Sequence, residues 1–412
     1  MTKRKDKNNR VLKAGESYRE KEKRYMYRWT DTAGKRHCIY AATLEDLRGK
    51  EKDIQRDLSD GIDASHGNMT LNQLFGLWKE NKVGLKQTTF TNYLYMYEHF
   101  VRPILGQKRI KDIRKSTIRG LYNRLINNGE TRTMAINTLE ILHNVLRQVF
   151  QIAVDDDYLR KNPVDGVLTE IKKANQYETP KRKALTQTQQ EAFVSFINDK
   201  KKYQSWCPLF AVFLGTGCRV SELIGLRWSD IDWELNTISI GHNLVYSKHL
   251  DGKCYFSVTT PKTRAGCRLI PMMPEVRQAL LDEKERQKEC GIKCKTVVDG
   301  YTDFIFLNRF GEPHQPHAIN RAIKRISTDY NQYEMDKAET ENREPVLIPP
   351  FSCHNLRHTF CTRLCENESN IKVIQDVMGH ADVQTTMNIY AEAQKEVKAT
   401  AMMNLSSKIK VY

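Results

Sequence analysis

Four short patterns in the second half of the chain carry residue types able to work together on a charged, oxygen-rich group. Gly215-Thr216-Gly217-Cys218-Arg219-Val220-Ser221-Glu222-Leu223 puts an arginine just past a glycine-rich bend, at the start of a helix. Pro261-Lys262-Thr263-Arg264-Ala265-Gly266 reads as a tight turn between two strands that displays Lys262. His354-Asn355-Leu356-Arg357-His358 sets two imidazoles and a guanidinium three and four residues apart, so on a helix they share one side. Met378-Gly379-His380 is followed ten residues later by Tyr390. A guanidinium grips paired oxygens through forked hydrogen bonds, whereas an ammonium or an imidazole can move a proton. A phenol can serve as a nucleophile. Alone, each element is ordinary: a single arginine is usually a surface charge, and a single tyrosine a core or rim residue.

Taken in order, Arg219, Lys262, His354-x-x-Arg357, His380 and Tyr390 resemble the catalytic signature of the tyrosine recombinase family, with no position of the pattern substituted. The resemblance implies that Tyr390 attacks a scissile DNA phosphate and forms a 3′-phosphotyrosyl bond. That bond would keep the phosphodiester's free energy for a later strand to reclaim without ATP. Negative charge then builds on the non-bridging oxygens, where Arg219 and Arg357 can hold it. Lys262 is the expected donor of the proton to the departing 5′-oxygen. His354 is expected to serve the tyrosine hydroxyl as acid/base partner, and His380 to hydrogen-bond the phosphate. Glu222 and His358 are expected to support these groups from behind, although solvation on a helix surface explains Glu222 equally well. No cofactor and no metal are expected.

These side chains need elements to hold them. From about Leu185 to the end at 412 the sequence reads as a mixed, mainly helical catalytic domain. It shows helical stretches on both sides of Arg219 and strands near Thr237–Ile240, Tyr255–Thr260 and Arg268–Pro271. Helices dominate from His317 onward, and the polar segment Asp329–Arg343 reads as a surface loop or a solvated helix. Residues 69–172 form an all-α domain. Thr70 caps a helix with Leu71, Leu74, Phe75 and Trp78 on one face, and Leu139, Leu142, Leu146, Val149 and Ala153 make a second stripe. Asn162-Pro163 ends that pattern, and residues 173–184, with Lys181, Arg182 and Lys183, read as a basic linker.

At the front, residues 1–62 hold a small α+β module. Tyr25-Met26-Tyr27-Arg28-Trp29 and Arg36-His37-Cys38-Ile39-Tyr40 are strand-prone and flank the turn residues Asp31-Thr32-Ala33-Gly34, and a helix runs from Thr43 to about Leu58. The module, the helical middle and the mixed second half resemble the arm-binding, core-binding and catalytic domains of phage and conjugative-transposon integrases, closest to the conjugative-transposon branch. The resemblance implies a multidomain fold that opens with a three-stranded sheet plus helix. It also implies separate core and arm sites on double-stranded DNA, a homotetramer on paired sites, and an excisionase-type accessory protein.

Charge agrees with a polyanionic partner. The chain carries a net +16, and its first fifty residues hold 15 Lys and Arg against 7 Asp and Glu, half of the excess. Arg24, Tyr25, Tyr27, Arg28, Trp29, Lys35, Arg36 and His37 are the expected DNA contacts of the module, with Lys181, Arg182 and Lys183 in the linker. The longest apolar run, Trp206 to Leu214, is too short for a membrane helix. The charged start lacks an apolar stretch behind it, so it is no signal peptide. Ten scattered cysteines read as reduced thiols of a cytoplasmic protein.

Three other readings stay open. Cys353, His354, His358, Cys361 and Cys365, with Cys290 and Cys294, have spacings that could bind zinc, although Arg357 would sit among the ligands as a repelling charge. A DNA-binding regulator would account for the basic module without using the catalytic set. A type IB topoisomerase or a chromosome-dimer resolvase would use similar chemistry without an arm module. The weakly apolar tail at Met402, Met403, Leu405 and Ile409 fits docking on a neighbouring subunit or folding back on its own domain.

Overall fold

Strand-prone aromatic segments near the start pair as an antiparallel sheet of β1 (Glu16–Arg19), β2 (Arg24–Thr30) and β3 (Arg36–Ala41), followed by α1 (Leu44–Ser59). The structure is a computed structural model that describes residues 4–6, 8–30, 34–59, 69–127, 134–178, 183–249, 252–261 and 263–393. It divides the chain into Met1–Thr179 and Pro180–Tyr412.

Successive strand residues point to opposite faces of a sheet. Tyr25, Tyr27, Trp29 and Ile39 therefore share a face, and they pack with Leu44 and Leu47 of α1. This corrects the expectation of DNA contacts from Tyr25 and Tyr27, which are only 3% and 7% exposed and belong to the core. The Tyr25 hydroxyl donates to Asp6 Oδ2 at 2.7 Å and accepts from Arg10 Nη2 at 2.7 Å, so its polar end is also satisfied internally. Trp29 stacks on His37 at 5.3 Å on the same side, and both are half-buried. Arg24, Arg28 and Arg36 are exposed and take the alternate positions, with the Arg24 guanidinium 4.0 Å over the Tyr40 ring. Lys35 is exposed beside them.

The helical part of the first unit comprises α2 (Leu71–Asn81), α3 (Gln87–Phe100), α4 (Arg102–Leu105), α5 (Lys115–Ile126), α6 (Ile136–Asp155) and α7 (Val167–Ala174). Thr70 and Gln73 form a reciprocal cap at the start of α2, and both apolar stripes read from the sequence are buried in one core. α6 has already ended at Asp155, with Asp157 at φ +58, before Asn162-Pro163 is reached, and the core does not end there either. Val164, Val167, Leu168 and Ile171 return to it beyond the proline.

The second unit contains α8 (Gln187–Asp199), α9 (Cys207–Thr216), α10 (Val220–Leu223), β4 (Ile231–Asp232), β5 (Thr237–Ile240), β6 (Asn243–Lys248), β7 (Cys254–Thr259) and β8 (Arg268–Pro271). The helices α11 (Pro274–Glu289), α12 (Pro316–Thr340), α13 (Cys353–Asn367) and α14 (Ile371–Met378) follow. A further helical run covers residues 383–393. The strands pair antiparallel in the order β4-β5-β8, and β6-β7 is a separate hairpin. The almost wholly apolar α9 buries Leu209, Phe210, Val212 and Phe213 at the centre of the core.

The polar segment 329–343 is the second half of α12 and the residues just beyond it, and it is not a fully solvated surface. Tyr330, Glu334 and Ala338 are buried, and Glu334 accepts from Arg343 Nη1 at 2.5 Å and from the Val346 amide at 3.0 Å. Among the described residues, no helix is long and apolar enough to cross a membrane. The tail residues Met402, Met403, Leu405 and Ile409 lie outside the described residues.

Candidate active site

The glycine-rich bend before Arg219 is a helix end. Gly217 caps α9 at φ +58, a backbone region that costs glycine nothing and where a Cβ would strike the Phe360 ring at 2.3 Å. Arg219 follows in extended conformation at the start of α10. Glu222, three residues on, folds back on it: Oε2 accepts from the Arg219 amide at 2.8 Å, and Oε1 accepts from the guanidinium at 2.7 Å. The Glu222 side chain is 1% exposed and also accepts from Arg268 Nη2 at 2.9 Å. Burial opposes its ionisation, but the Arg268 hydrogen bond and charge prevail, then those of Arg219, and the carboxyl is held below the usual carboxylate range. Glu222 is therefore a buried anion between two arginines and not a solvated surface charge.

α13 presents Arg357 to the same place. Its Nη1 donates to the Gly217 carbonyl and its Nη2 to the Met378 carbonyl, each at 2.5 Å. Burial first, and then the charge of Arg219, lower its pKa to about 10, which leaves it protonated at neutral pH. The third contributor is the end of α14. Gly379 closes that helix at φ +62, which turns His380 inward. His380 Nδ1 and the Thr386 hydroxyl share a hydrogen bond of 3.0 Å, with both residues buried. Burial, followed by the charges of Arg357, Arg219 and Arg268, pushes the His380 imidazole down to about 4, so it is neutral at pH 7.

Three arginines from three elements thus converge on one strand of backbone. Arg268 Nε donates to the Val377 carbonyl at 2.8 Å, Arg357 Nη2 to that of Met378 at 2.5 Å, and Arg219 Nη2 to that of Gly379 at 3.2 Å. The last carbonyls of a helix lack internal partners and carry its negative end, so guanidinium groups satisfy them doubly. Arg219 and Arg357 each retain N–H groups beyond these bonds, and two forked cations held side by side suit an oxyanion carrying several acceptor oxygens.

Tyr390 lies in the helical run 383–393, partly buried against Cys361, Cys365, Ile374, Met378 and Ala393. Thr386, the partner of His380, stands four residues earlier and so on the same side of that run. His354 is exposed near the start of α13, while His358 is half-buried, lies 3.4 Å from the Thr362 hydroxyl through Nδ1, and is close enough to His380 to act on its charge. Lys262 lies outside the described residues, as do Lys181 and Arg182. Lys183 is exposed, and its carbonyl accepts from Asn355 Nδ2 at 3.0 Å.

The cysteines with metal-like spacing separate into different places. Cys353 packs in the main core with α9, whereas Cys361 and Cys365 belong to the small cluster around Tyr390, and Cys290 is exposed. Among the described residues, no group of three or more His, Cys, Asp or Glu side chains is gathered as a metal site would need.

Sequence reading missed Arg268 and Thr386. Arg268 carried no sequence signal, since Leu269 and Ile270 are both apolar; only the structure, with Leu269 63% exposed and Ile270 buried, turns residue 268 inward with Ile270. Nothing local marks Thr386, whose role depends on a fold that brings His380 back to it.

Two arginines with spare donors and a neutral imidazole thus meet in a mainly helical unit, and a basic sheet module precedes that unit in the sequence. The chain belongs to the phage integrase family, whose profile matches residues 183–397, and it is a tyrosine site-specific recombinase close to the conjugative-transposon integrases. Two further profiles match: the DNA binding domain of Tn916 integrase over residues 1–58, and the phage integrase N-terminal SAM-like domain over 70–126. The chain is similar to the transposase from transposon Tn916 of Enterococcus faecalis, with 32% identity covering 98% of this chain and 97% of that protein. The same identity and coverage relate it to the transposase from transposon Tn1545 of Streptococcus pneumoniae. Among solved structures it is similar to the Tn1549 transposon integrase in complex with transposon right end DNA. That match has a TM-score of 0.68 and 30% identity, and it covers 82% of this chain and 100% of the solved one. A lambda integrase tetramer bound to a Holliday junction shares the fold, with a TM-score of 0.51 and 17% identity over 92% of this chain and 95% of that one.

Proposed function

We propose that this recombinase integrates and excises a mobile element by metal-free cleavage and rejoining of DNA strands, with Tyr390 as nucleophile. The observation that carries the reading is the convergence of Arg219, Arg357 and the buried, neutral His380 on one spot, with the Tyr390 helix tied to His380 through Thr386. The phenol oxygen attacks the scissile phosphorus, the bond from phosphorus to the 5′-oxygen breaks, and a 3′-phosphotyrosyl ester forms. Arg219 and Arg357 grip the non-bridging oxygens as charge develops, worth about 3–4 kcal/mol per well-placed donor in other enzymes. Lys262 supplies the proton to the 5′-oxygen, His354 takes the proton of the phenol, and His380 hydrogen-bonds the phosphate. Glu222 holds Arg219 from behind, and His358 backs His380. Attack by a 5′-hydroxyl of the partner strand runs the step in reverse and releases the enzyme.

The working parts follow the sequence. Residues 1–62 bind arm sites, 69–172 bind the core site, 173–184 link them to the catalytic part, and 185–412 perform the chemistry. Exposed Arg24, Arg28, Lys35 and Arg36 contact arm DNA through the open sheet face, with Trp29 and His37 stiffening the module behind them. Lys181, Arg182 and Lys183 follow the phosphates of the core site. Exchange between two duplexes cuts four strands with one nucleophile each, so the working form is a homotetramer on paired sites. An excisionase-type protein bound near the arm sites sets direction. The chain works in the cytoplasm, where the DNA is.

The test is a suicide DNA substrate whose nicked strand lets the short fragment carrying the free 5′-hydroxyl diffuse away after cleavage. The wild type should accumulate covalent protein–DNA complex, and Tyr390→Phe should accumulate none while binding DNA as before. Cleavage by the phenylalanine variant would mean that another nucleophile acts. Recombinant joints between two sites, rather than relaxed circles alone, separate a recombinase from a topoisomerase.

A further inference from the structure

Arg268 has no counterpart among the six residues expected to do the chemistry, yet it is the most fully engaged side chain at the site. Its Nε donates to the Val377 carbonyl at 2.8 Å, Nη1 to the Gly266 carbonyl at 3.1 Å and Nη2 to Glu222 Oε2 at 2.9 Å. All three guanidinium nitrogens are therefore occupied, in a side chain that is 5% exposed. With each nitrogen committed and the side chain almost fully buried, it has fewer donors left for a phosphate than Arg219 or Arg357. Its three acceptors belong to three different parts of the site. Glu222 holds Arg219, Val377 lies in the last turn of the helix that delivers His380, and Gly266 closes the short turn that follows Thr263.

A second observation shows how tightly these parts meet. Gly379 sits so close to that turn that a Cβ on it would lie 2.9 Å from the Ala265 carbonyl and 3.0 Å from Arg268 Nη1. The backbone at α14's end and the turn at Ala265 are thus closely packed, and the Arg268 guanidinium bonds to both. Hydrogen bonds of fixed direction on both sides convert that contact into a defined register, which simple apolar packing would leave free to slide.

Building on the recombinase reading above, we propose that Arg268 is a positioning residue that sets Arg219, His380 and the turn of residues 263–266 in register for strand cleavage without itself touching DNA. It acts through Glu222 on one side and through the Val377 and Gly266 carbonyls on the other. Lysine is no substitute, because it offers one nitrogen where three directions are needed. Methionine removes the charge as well and leaves Glu222 with Arg219 alone.

The experiment compares full-length wild type, Arg268→Lys and Arg268→Met in single-turnover cleavage of the suicide substrate at saturating DNA. Binding to the core site is measured alongside, and wild type and Tyr390→Phe serve as controls. Both Arg268 variants should bind DNA within about 3-fold of wild type and cleave roughly 100-fold more slowly, the loss that a misplacement of about 1 Å causes. The pH profile supplies a readout that a merely structural role would not move. The charges facing His380 are Arg357, Arg219, Arg268 and His358. Loss of the Arg268 charge should move the acid limb of the cleavage profile to higher pH in the methionine variant, whereas lysine should leave it in place.

Cleavage within about 3-fold of wild type in either variant overturns the assignment, as does a loss confined to DNA affinity with the cleavage rate at saturation unchanged. An acid limb that stays fixed in a folded methionine variant also counts against it. Should the methionine variant not fold, the lysine variant decides by rate alone. Failure of the wild type itself to form covalent complex would refute the recombinase chemistry instead, so the two failures are distinguishable.

Discussion

Replacing Arg357 with lysine keeps the charge and removes the fork, and the structure allows the consequence to be worked out. The two 2.5 Å bonds to Gly217 and Met378 leave from different nitrogens of a residue that is 7% exposed. One ammonium can keep one of these carbonyls and must abandon the other, which then lies buried without a partner at a cost of about 1–3 kcal/mol. For a unit of this size each kcal/mol lowers the melting temperature by about 2–4 °C, so a fall of several degrees is expected. The catalytic loss is larger. One donor to the developing charge disappears, worth about 3–4 kcal/mol or a hundred- to a thousandfold in rate. DNA affinity should barely change, because many phosphate contacts share it. Single-turnover cleavage of a suicide substrate, a gel-shift titration and a thermal melt measure the three quantities separately. Arg357→Lys protein that cleaves within about tenfold of wild type would refute the forked-anion argument, and so would a rate loss wholly explained by weaker DNA binding.

Acid should weaken the second unit through its buried imidazoles. His380 is pushed down to about 4 by burial and then by its arginine neighbours, and His314 to about 4 by burial and then by Arg286. The unfolded chain takes up these protons first as pH falls. Each imidazole's contribution is therefore complete above the ordinary value near 6.5 and is lost as pH drops toward 4, by at most about 3 kcal/mol. Urea unfolding between pH 7 and 4 should show that slope, and His314→Gln should flatten its share; an unaltered slope would contradict the assignment. In the front module, Arg24→Ala and Arg28→Ala should each weaken arm-site binding and reduce the salt dependence by about one unit of slope. Tyr25→Phe should instead cost about 1 kcal/mol of stability with arm binding preserved, since its hydroxyl serves Asp6 and Arg10. Equal loss of arm binding in all three would place Tyr25 at the DNA after all.

What could be read from the sequence was whatever short-range spacing encodes. Helical periodicity gave the buried stripes of α2 and α6, and strand-prone runs gave β5, β7 and β8. The order Arg219, His354-x-x-Arg357, His380, Tyr390 carried the family resemblance on which the proposed chemistry rests. The same local rules went astray where a residue's surroundings come from elsewhere. Tyr25 and Tyr27 share strand β2 with Arg24 and Arg28, and α1, which covers only one face of the sheet, decides which of them meet solvent. α7 rejoins a core after Pro163 because that core has room for Val167 and Ile171, a fact absent from the proline itself.

Tertiary structure alone decided how the site is assembled. Arg219 reaches a carbonyl 160 residues away and Arg357 one 140 residues away. No periodicity links such positions, since hydrogen bonds of that kind exist only once the core has closed around α9. The chain's own order fixed which side chains are available for catalysis. The meeting of α9, α13, β8 and the end of α14 turned Glu222 from a surface candidate into a buried anion and made Arg268 part of the site, because burial and direction are properties of neighbours in space.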